Sequence, residues 1–131
     1  MKLVVVVAAL AVFAGCQKQD EAQQAAQGFV DQHYVHIDLV AAKKFTTGLA
    51  TAKIEEEEKL IAGVTQEEGT AKPRVHYELL ERRPEGEDRV TFLYKGEARG
   101  EDANDVFTRK WLVTVKRDSG DWKVSNFHEF D

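Results

Sequence analysis

Hydrophobic positions along the chain change their spacing twice. Leu3 to Ala14 are apolar without interruption, a twelve-residue run behind Met1-Lys2. From Asp20 onward Ala22, Ala25, Ala26, Phe29, Val30, His33, Tyr34, Ile37 and Ala41 recur at intervals of three and four, the period of an amphipathic helix with Asp20 as its N-cap. Spacing alone leaves open whether this helix breaks at Ile37-Asp38. A second helix is expected behind Thr46-Thr47-Gly48, with Leu49, Ala52, Ile54, Leu60, Ile61 and Val64 as its apolar positions and Gly63 near its end.

At Lys72-Pro73 the period falls to two, and β-branched and aromatic residues take over. Four strands follow. Arg74–Arg83 places Val75, Tyr77 and Leu79 on one face; Val90–Ala98 places Val90, Phe92 and Tyr94; Val106–Arg117 places Phe107, Trp111, Val113 and Val115; Trp122–Phe127 places Trp122 and Val124. Pro84-Glu85-Gly86-Glu87-Asp88 and Asp118-Ser119-Gly120-Asp121 are turn sequences, so the strands they join pair as antiparallel hairpins. Helices first and an antiparallel sheet second define an α+β fold, with N-terminal helices covering one face of a curved four-stranded sheet.

Composition bounds what such a domain does. The chain has 131 residues, 43% hydrophobic and 31% charged, which supports one folded unit over residues 21–131. With 18 basic against 23 acidic residues, a net charge of −5 and no Lys/Arg cluster, nucleic acid has no electrostatic hold on it.

The apolar run at the start is about 18 Å long as a helix, against roughly 30 Å of bilayer hydrocarbon, so it reads as an export signal rather than a permanent span. It ends in Phe13-Ala14-Gly15-Cys16, and Cys16 is the only cysteine. These four residues behind an apolar run resemble the lipobox of bacterial lipoproteins, with Phe13 in place of the usual Leu. The resemblance implies a signal peptide over residues 1–15, acylation of Cys16 with a diacylglycerol on sulfur and a fatty acyl group on nitrogen, and a tether over residues 16–20. Several acyl chains hold a membrane firmly where one does not. Gln17, rather than Asp, after the cysteine implies the outer membrane in a cell that has two, with the domain on the periplasmic side. Gln17 to Asp20 span at most roughly 14 Å, which keeps the domain close to that surface. The alternative is cleavage after Val12-Phe13-Ala14, leaving an exported protein with a free thiol.

Helices leading into a sheet that closes on Gly120-Asp121-Trp122-Lys123-Val124-Ser125-Asn126-Phe127 resemble the cone-shaped, cystatin-like domains of the ketosteroid isomerase-like and nuclear transport factor-like proteins. That superfamily holds enzymes, binding modules and assembly domains alike. An isomerase of this kind needs an inward carboxylate and a donor pair for an oxyanion. Tyr77 and Tyr94 supply hydroxyls on the presumed concave face, but the only carboxylate in phase is Glu81, beside Arg82 and Arg83, so no catalytic set is assigned. Both tyrosines also read as packing residues with hydroxyls at the rim. Arg109 alternates in phase with Phe107 and Trp111. It either binds an acidic ligand group inside the cone, with Trp111 and Asn126 as neighbours on the same face, or snorkels to the edge.

His33 and His36, three apart on the first helix, lack a third ligand on their stripe, and Glu55-Glu56-Glu57-Glu58 lacks the oxygen-rich loop of a calcium site, so no metal is assigned. Neither Ser119 nor Ser125 stands in a nucleophile elbow, and no phosphate-binding glycine loop occurs, so no cofactor is assigned. The reading is a lipid-anchored cell-envelope lipoprotein acting as a non-catalytic binding or assembly module through its exposed sheet face. A homodimer through that face, using Arg74, His76, Glu78, Lys110 and Lys116, is implied by the resemblance. The rival is a small-molecule carrier or isomerase-like enzyme with a pocket in the cone, built from Arg109, Trp111, Asn126, Tyr77 and Tyr94. An enclosed polar cavity of at least roughly 300 Å³ separates the two.

Overall fold

Asp20 opens the first helix as its position before the periodic stretch predicts, its carboxylate accepting the Gln23 N–H at 2.8 Å. The computed structural model describes residues 20–62, 73–100 and 104–131; Cys16, the apolar run before it, most of the expected tether and the expected core position Val64 lie outside the described residues. Helix α1 (Glu21–Val30) buries Ala22, Ala25, Ala26, Phe29 and Val30, the stripe that the spacing predicts. Three alanines on that stripe let the helix axis approach the sheet closely, and Phe29 fills the space beyond them.

The helix does not run on to Ala41. Residues Asp31–Val35 widen into a π-helical turn, Ile37 takes a positive φ of 54°, and Asp38 restarts the chain as N-cap of the short α2 (Leu39–Lys43), accepting the Ala41 N–H at 3.0 Å. A β-branched residue in the left-handed region is costly, and Asp38 offsets part of that cost by capping. The break resets the phase: Leu39 and Ala42 are buried, whereas Ile37, expected in the core, is exposed.

Helix α3 (Gly48–Ile61) departs most from its expected face. Only Ala50 and Ile54 are buried, while Leu49, Leu60 and Ile61 face outward. The stripe turned to the sheet includes Lys53 and Glu57, which make polar bonds, and periodicity of apolar residues is blind to such a face. Lys53 Nζ donates to Asn126 Oδ1 at 2.6 Å and to the Phe127 carbonyl at 2.8 Å.

The sheet is a meander in the order β1-β2-β3-β4, all antiparallel, with β1 at Arg74–Pro84, β2 at Arg89–Arg99, β3 at Val106–Asp118 and β4 at Asp121–Phe130. Ser119 and Gly120, with φ of 52° and 90°, form the two-residue turn between β3 and β4, a conformation that Gly120 adopts freely. Val90, Phe92, Tyr94, Trp111, Val113, Val115, Val124 and Phe127 line the buried inner face. Phe107 belongs to that face by phase but is 64% exposed, because the first residues of β3 run past the helical layer.

Two bulges change the phase of the edge strands. In β1 the register slips between Leu79 and Glu81, which turns Glu81 outward opposite Leu93 and Arg82 inward opposite Phe92. In β4 it slips between Val124 and Asn126, leaving Ser125 as the extra residue and pairing Asn126 with Thr114 and Phe127 with Val113. Among the described residues no helix is long and apolar enough to cross a membrane.

Candidate functional site

The π-helical turn is where α1 delivers polar chemistry to the sheet. One extra residue per turn points Asp31, His33 and Tyr34 at three different elements within five residues, and such turns often mark functional sites. Asp31 accepts a hydrogen bond from the Tyr77 hydroxyl of β1. His33 Nε2 lies 2.7 Å from Glu57 Oε2 of α3, with its ring stacked on Phe29 at 5.1 Å. Tyr34 lies flat on Trp111 of β3, ring centroids 4.0 Å apart and planes 4° from parallel.

Trp111 in turn lies on the backbone of Gly96. A Cβ at position 96 would meet the indole at 2.2 Å, so only glycine lets the ring settle there. Tyr94, paired with Trp111 across β2 and β3, meets Tyr77 edge-on at 5.7 Å. The cone's interior at this end is therefore a packed aromatic cluster. It holds four buried polar atoms without a hydrogen-bond partner among the described residues: the hydroxyls of Tyr34 and Tyr94, the indole N–H of Trp111 and, beside Tyr34, Nδ1 of His33.

All three tyrosines are pushed above the ordinary phenol range. Burial is the main cause in each; the charges of Glu129 and Glu57 add to it at Tyr34, the hydrogen bond to Asp31 adds to it at Tyr77, and the neighbouring Tyr77 and Asp31 add to it at Tyr94. They stay protonated, and of the three Tyr77 alone has an acceptor among the described residues, Asp31. Asp31 is thus a carboxylate beside two phenols on the concave face, a combination that strict alternation in the sequence does not show.

The residues expected to bind an acidic ligand are not gathered in one place. Tyr77, Tyr94 and Trp111 do come together. Arg109 stands at the outer rim, its side chain 47% exposed, with Nε 3.0 Å from Glu129 Oε1 and 3.6 Å from Asp131 Oδ1. Its counter-charges come from the end of β4, and its guanidinium has snorkelled beyond the apolar face rather than being trapped on it. Asn126 is turned away from Trp111 by the β4 bulge, and its amide is held by Lys53 and bonds back to the Phe127 N–H. Glu81 pairs with Arg83 on the outer face at 2.6 Å. Arg82, inward instead, bonds Asp20 and lies over the Phe92 ring. His33 and His36 part company at the π turn, the first to Glu57 and the second to the surface; among the described residues no cluster could hold a metal ion.

Among the described residues, grooves open to solvent outside the cone. One of about 700 Å³ lies between the helices, lined by Gln32, His36, Ile37, Asp38, Leu39, Val40, Glu58 and Ile61. Another of about 310 Å³ lies along β1 and β2 at His76, Tyr77, Glu78, Lys95 and Glu97. Across the outer face, Leu93 and Leu112 stand opposite each other in register, flanked by Glu81 and His128 in their row and by Lys95 and Lys110 in the next.

Asp31, Glu57, Lys53 and Glu129 carry the polar contacts, and none was singled out on the concave face by its sequence. A usable signal exists: Gln27, Asp31 and Tyr34 stand at i, i+4 and i+7, bordering the apolar stripe, and Lys53 and Glu57 stand at i and i+4 around Ile54.

The helices packed on a curved antiparallel sheet define the cystatin-like α+β cone of nuclear transport factor 2-like and ketosteroid isomerase-like proteins. An NTF2-like protein of unknown function from Shewanella oneidensis superposes with a TM-score of 0.62 at 11% identity, covering 86% of this chain and 98% of its own. A ketosteroid isomerase-like protein from Erwinia carotovora atroseptica superposes with a TM-score of 0.61 at 11% identity, covering 87% and 95%. A Thiobacillus denitrificans protein provisionally named as a calcium/calmodulin-dependent protein kinase type II association domain gives a TM-score of 0.59 at 11% identity, covering 80% and 90%. No family model and no curated protein matches the sequence. Likeness at this identity establishes the fold, whose members include catalytic and non-catalytic proteins.

Proposed function

We propose that this chain is a lipid-anchored cell-envelope protein whose domain acts as a non-catalytic binding or assembly module through the outer face of its sheet. The observation that carries the reading is the stack of Tyr34 on Trp111 on Gly96, which fills the part of the cone where a ligand would sit. The grooves described above, among the described residues, lie outside. The row Glu81-Leu93-Leu112-His128 offers an apolar centre within a charged surround, the anatomy of a protein contact. A structural neighbour named as an association domain is consistent with assembly on this fold. The anchor rests on Phe13-Ala14-Gly15-Cys16 and the apolar run before it.

The test joins both halves of the reading. The native protein is extracted from membranes, its N-terminal peptide is weighed, and its crosslinked partners are compared with those of Cys16→Ala and Leu112→Lys. An acylated Cys16, partners lost with Leu112→Lys and a membrane fraction lost with Cys16→Ala are expected. A polypeptide beginning at Gly15 with a bare thiol refutes the anchor; partners indifferent to Leu112→Lys refute the sheet face.

One observation favours a second reading, a small-molecule carrier or isomerase-like enzyme. Asp31 bonds Tyr77 beside the unpartnered hydroxyl of Tyr94, a carboxylate and two donors on the concave face. This reading requires the Tyr34–Trp111 stack to open. Indole fluorescence that changes on titration with a small ketone or carboxylate, in wild type but not in Tyr94→Phe, would support it; an unchanged spectrum supports the filled cone.

A further inference from the structure

The two edges of the sheet are finished differently. On β4, Val124 donates its N–H to the Phe45 carbonyl at 2.7 Å and accepts the Thr47 N–H at 2.8 Å, so the loop before α3 closes that edge. On β1, among the described residues, no backbone hydrogen bond runs from the outer edge of Arg74–Leu79 to any other element. Among the described residues, helix α1 packs over β2, β3 and β4, and the π-helical turn reaches β1 on its inner face through the Asp31–Tyr77 bond rather than along its outer edge.

An open edge is a template for another strand unless something blunts it. The second half of β1 is blunted three ways: by the bulge after Leu79, by Arg82 and Arg83, and by Pro84. The first half, Arg74–Glu78, is regular, with no bulge or proline inside it, and its edge charges are of both signs. Arg74 stands opposite Arg99, a like charge, whereas Glu78 stands opposite Lys95, and neither Arg74 nor Glu78 closes to ion-pair distance among the described residues.

We infer that the Arg74–Glu78 edge of β1 pairs antiparallel with the same segment of a second copy of this chain, about a two-fold axis at His76. In that register Arg74 faces Glu78 of the second copy, and the symmetry repeats the pair. Val75 faces Tyr77 of the second copy on the helical side, an apolar pair at each end of the axis. Opposite charges and aromatic–β-branched pairs directly across strands both stabilise a sheet. Centring the axis on Tyr77 instead sets Arg74 against Leu80 and Glu78 against His76, and leaves Arg74 without a counter-charge. The pairing joins two four-stranded sheets into one of eight strands, with both sets of helices on the same side and both outer faces free. It goes beyond the proposed function and does not rest on it: it needs neither the acyl chain nor an outside partner.

Disulfide trapping in the native membrane tests it on the full chain. Directly opposed residues of an antiparallel pair have Cα atoms about 4.5–5.5 Å apart, within disulfide range, so His76→Cys on the axis is expected to give a covalent dimer on mild oxidation. His76 is exposed and its replacement leaves the core intact. Lys110→Cys, on the outer face, reports a dimer formed face to face, and wild type reports any crosslink through Cys16. In the His76→Cys background Glu78→Arg is expected to cut the yield roughly tenfold, and Arg74→Glu with Glu78→Arg to restore it. No dimer from His76→Cys, an equal yield from Lys110→Cys, or no restoration by the charge exchange in a variant with native circular dichroism overturns the inference. A crosslink in wild type itself counts against acylation, and the edge is then read in Cys16→Ala/His76→Cys.

Discussion

The inner and outer faces of the same four strands obey different rules. On the inner face Phe92, Val113, Val115 and Val124 are fully buried, and Trp111 sits between Tyr34 and a glycine whose only role is to leave it room. On the outer face the alternate residues of the same strands, Leu93 and Leu112 among Glu81, Lys95, Lys110 and His128, are at most half-buried. Packing on both sides dictates the first set of residues, whereas the second packs within the sheet and is open to solvent above it.

Substitutions sharpen this contrast in a graded series. Phe92→Ala empties the middle of the inner face and is expected to cost about 3–5 kcal/mol in denaturant unfolding. Gly96→Ala forces the indole off its backbone seat and is expected to cost about 1–3 kcal/mol, with a shift in indole emission. Asp31→Ala strips the Tyr77 hydroxyl of its acceptor and is expected to cost about 1 kcal/mol. Leu112→Lys, on the outer face, is expected to stay within about 0.5 kcal/mol of wild type while losing partner crosslinks. A Leu112→Lys as damaging as Phe92→Ala would erase the distinction between the faces.

Alkaline titration probes the inner face without mutation. The chain has three tyrosines, Tyr34, Tyr77 and Tyr94, and all three are raised above the ordinary phenol value of 10.0. Tyrosinate absorbance is therefore expected to be absent in the native protein at a pH where the unfolded chain already titrates. The linkage has a definite sign. The folded state holds phenolic protons that the unfolded state has released, so the stabilisation is whole below the unfolded value of 10.0 and falls as pH rises above it. A native titration curve centred near 10 contradicts the packed cluster.

The fold was legible where a single period ran undisturbed. The stripe Ala22, Ala25, Ala26, Phe29 and Val30, and the inner residues of β2, lie where the spacing of their sequences places them. Legibility failed wherever one residue was inserted. The bulge in β1 exchanged the faces of Glu81 and Arg82, the bulge in β4 carried Asn126 away from Trp111, and the π turn separated His33 from His36 while bringing Asp31 to Tyr77. A bulge or a π turn is set by tertiary packing, and strict counting at two or at 3.6 passes over both. Arg109 kept its phase but met Glu129 and Asp131, whose approach depends on where β4 ends.

Native mass spectrometry of the protein gently extracted from its own membranes puts the account to its most direct test. The account predicts the mass of a chain beginning at acylated Cys16, alone or in whole-number assemblies with protein, and with no small molecule retained. A bare-thiol chain, or a stoichiometric small molecule that departs when Tyr34 or Trp111 is replaced by alanine, would contradict it.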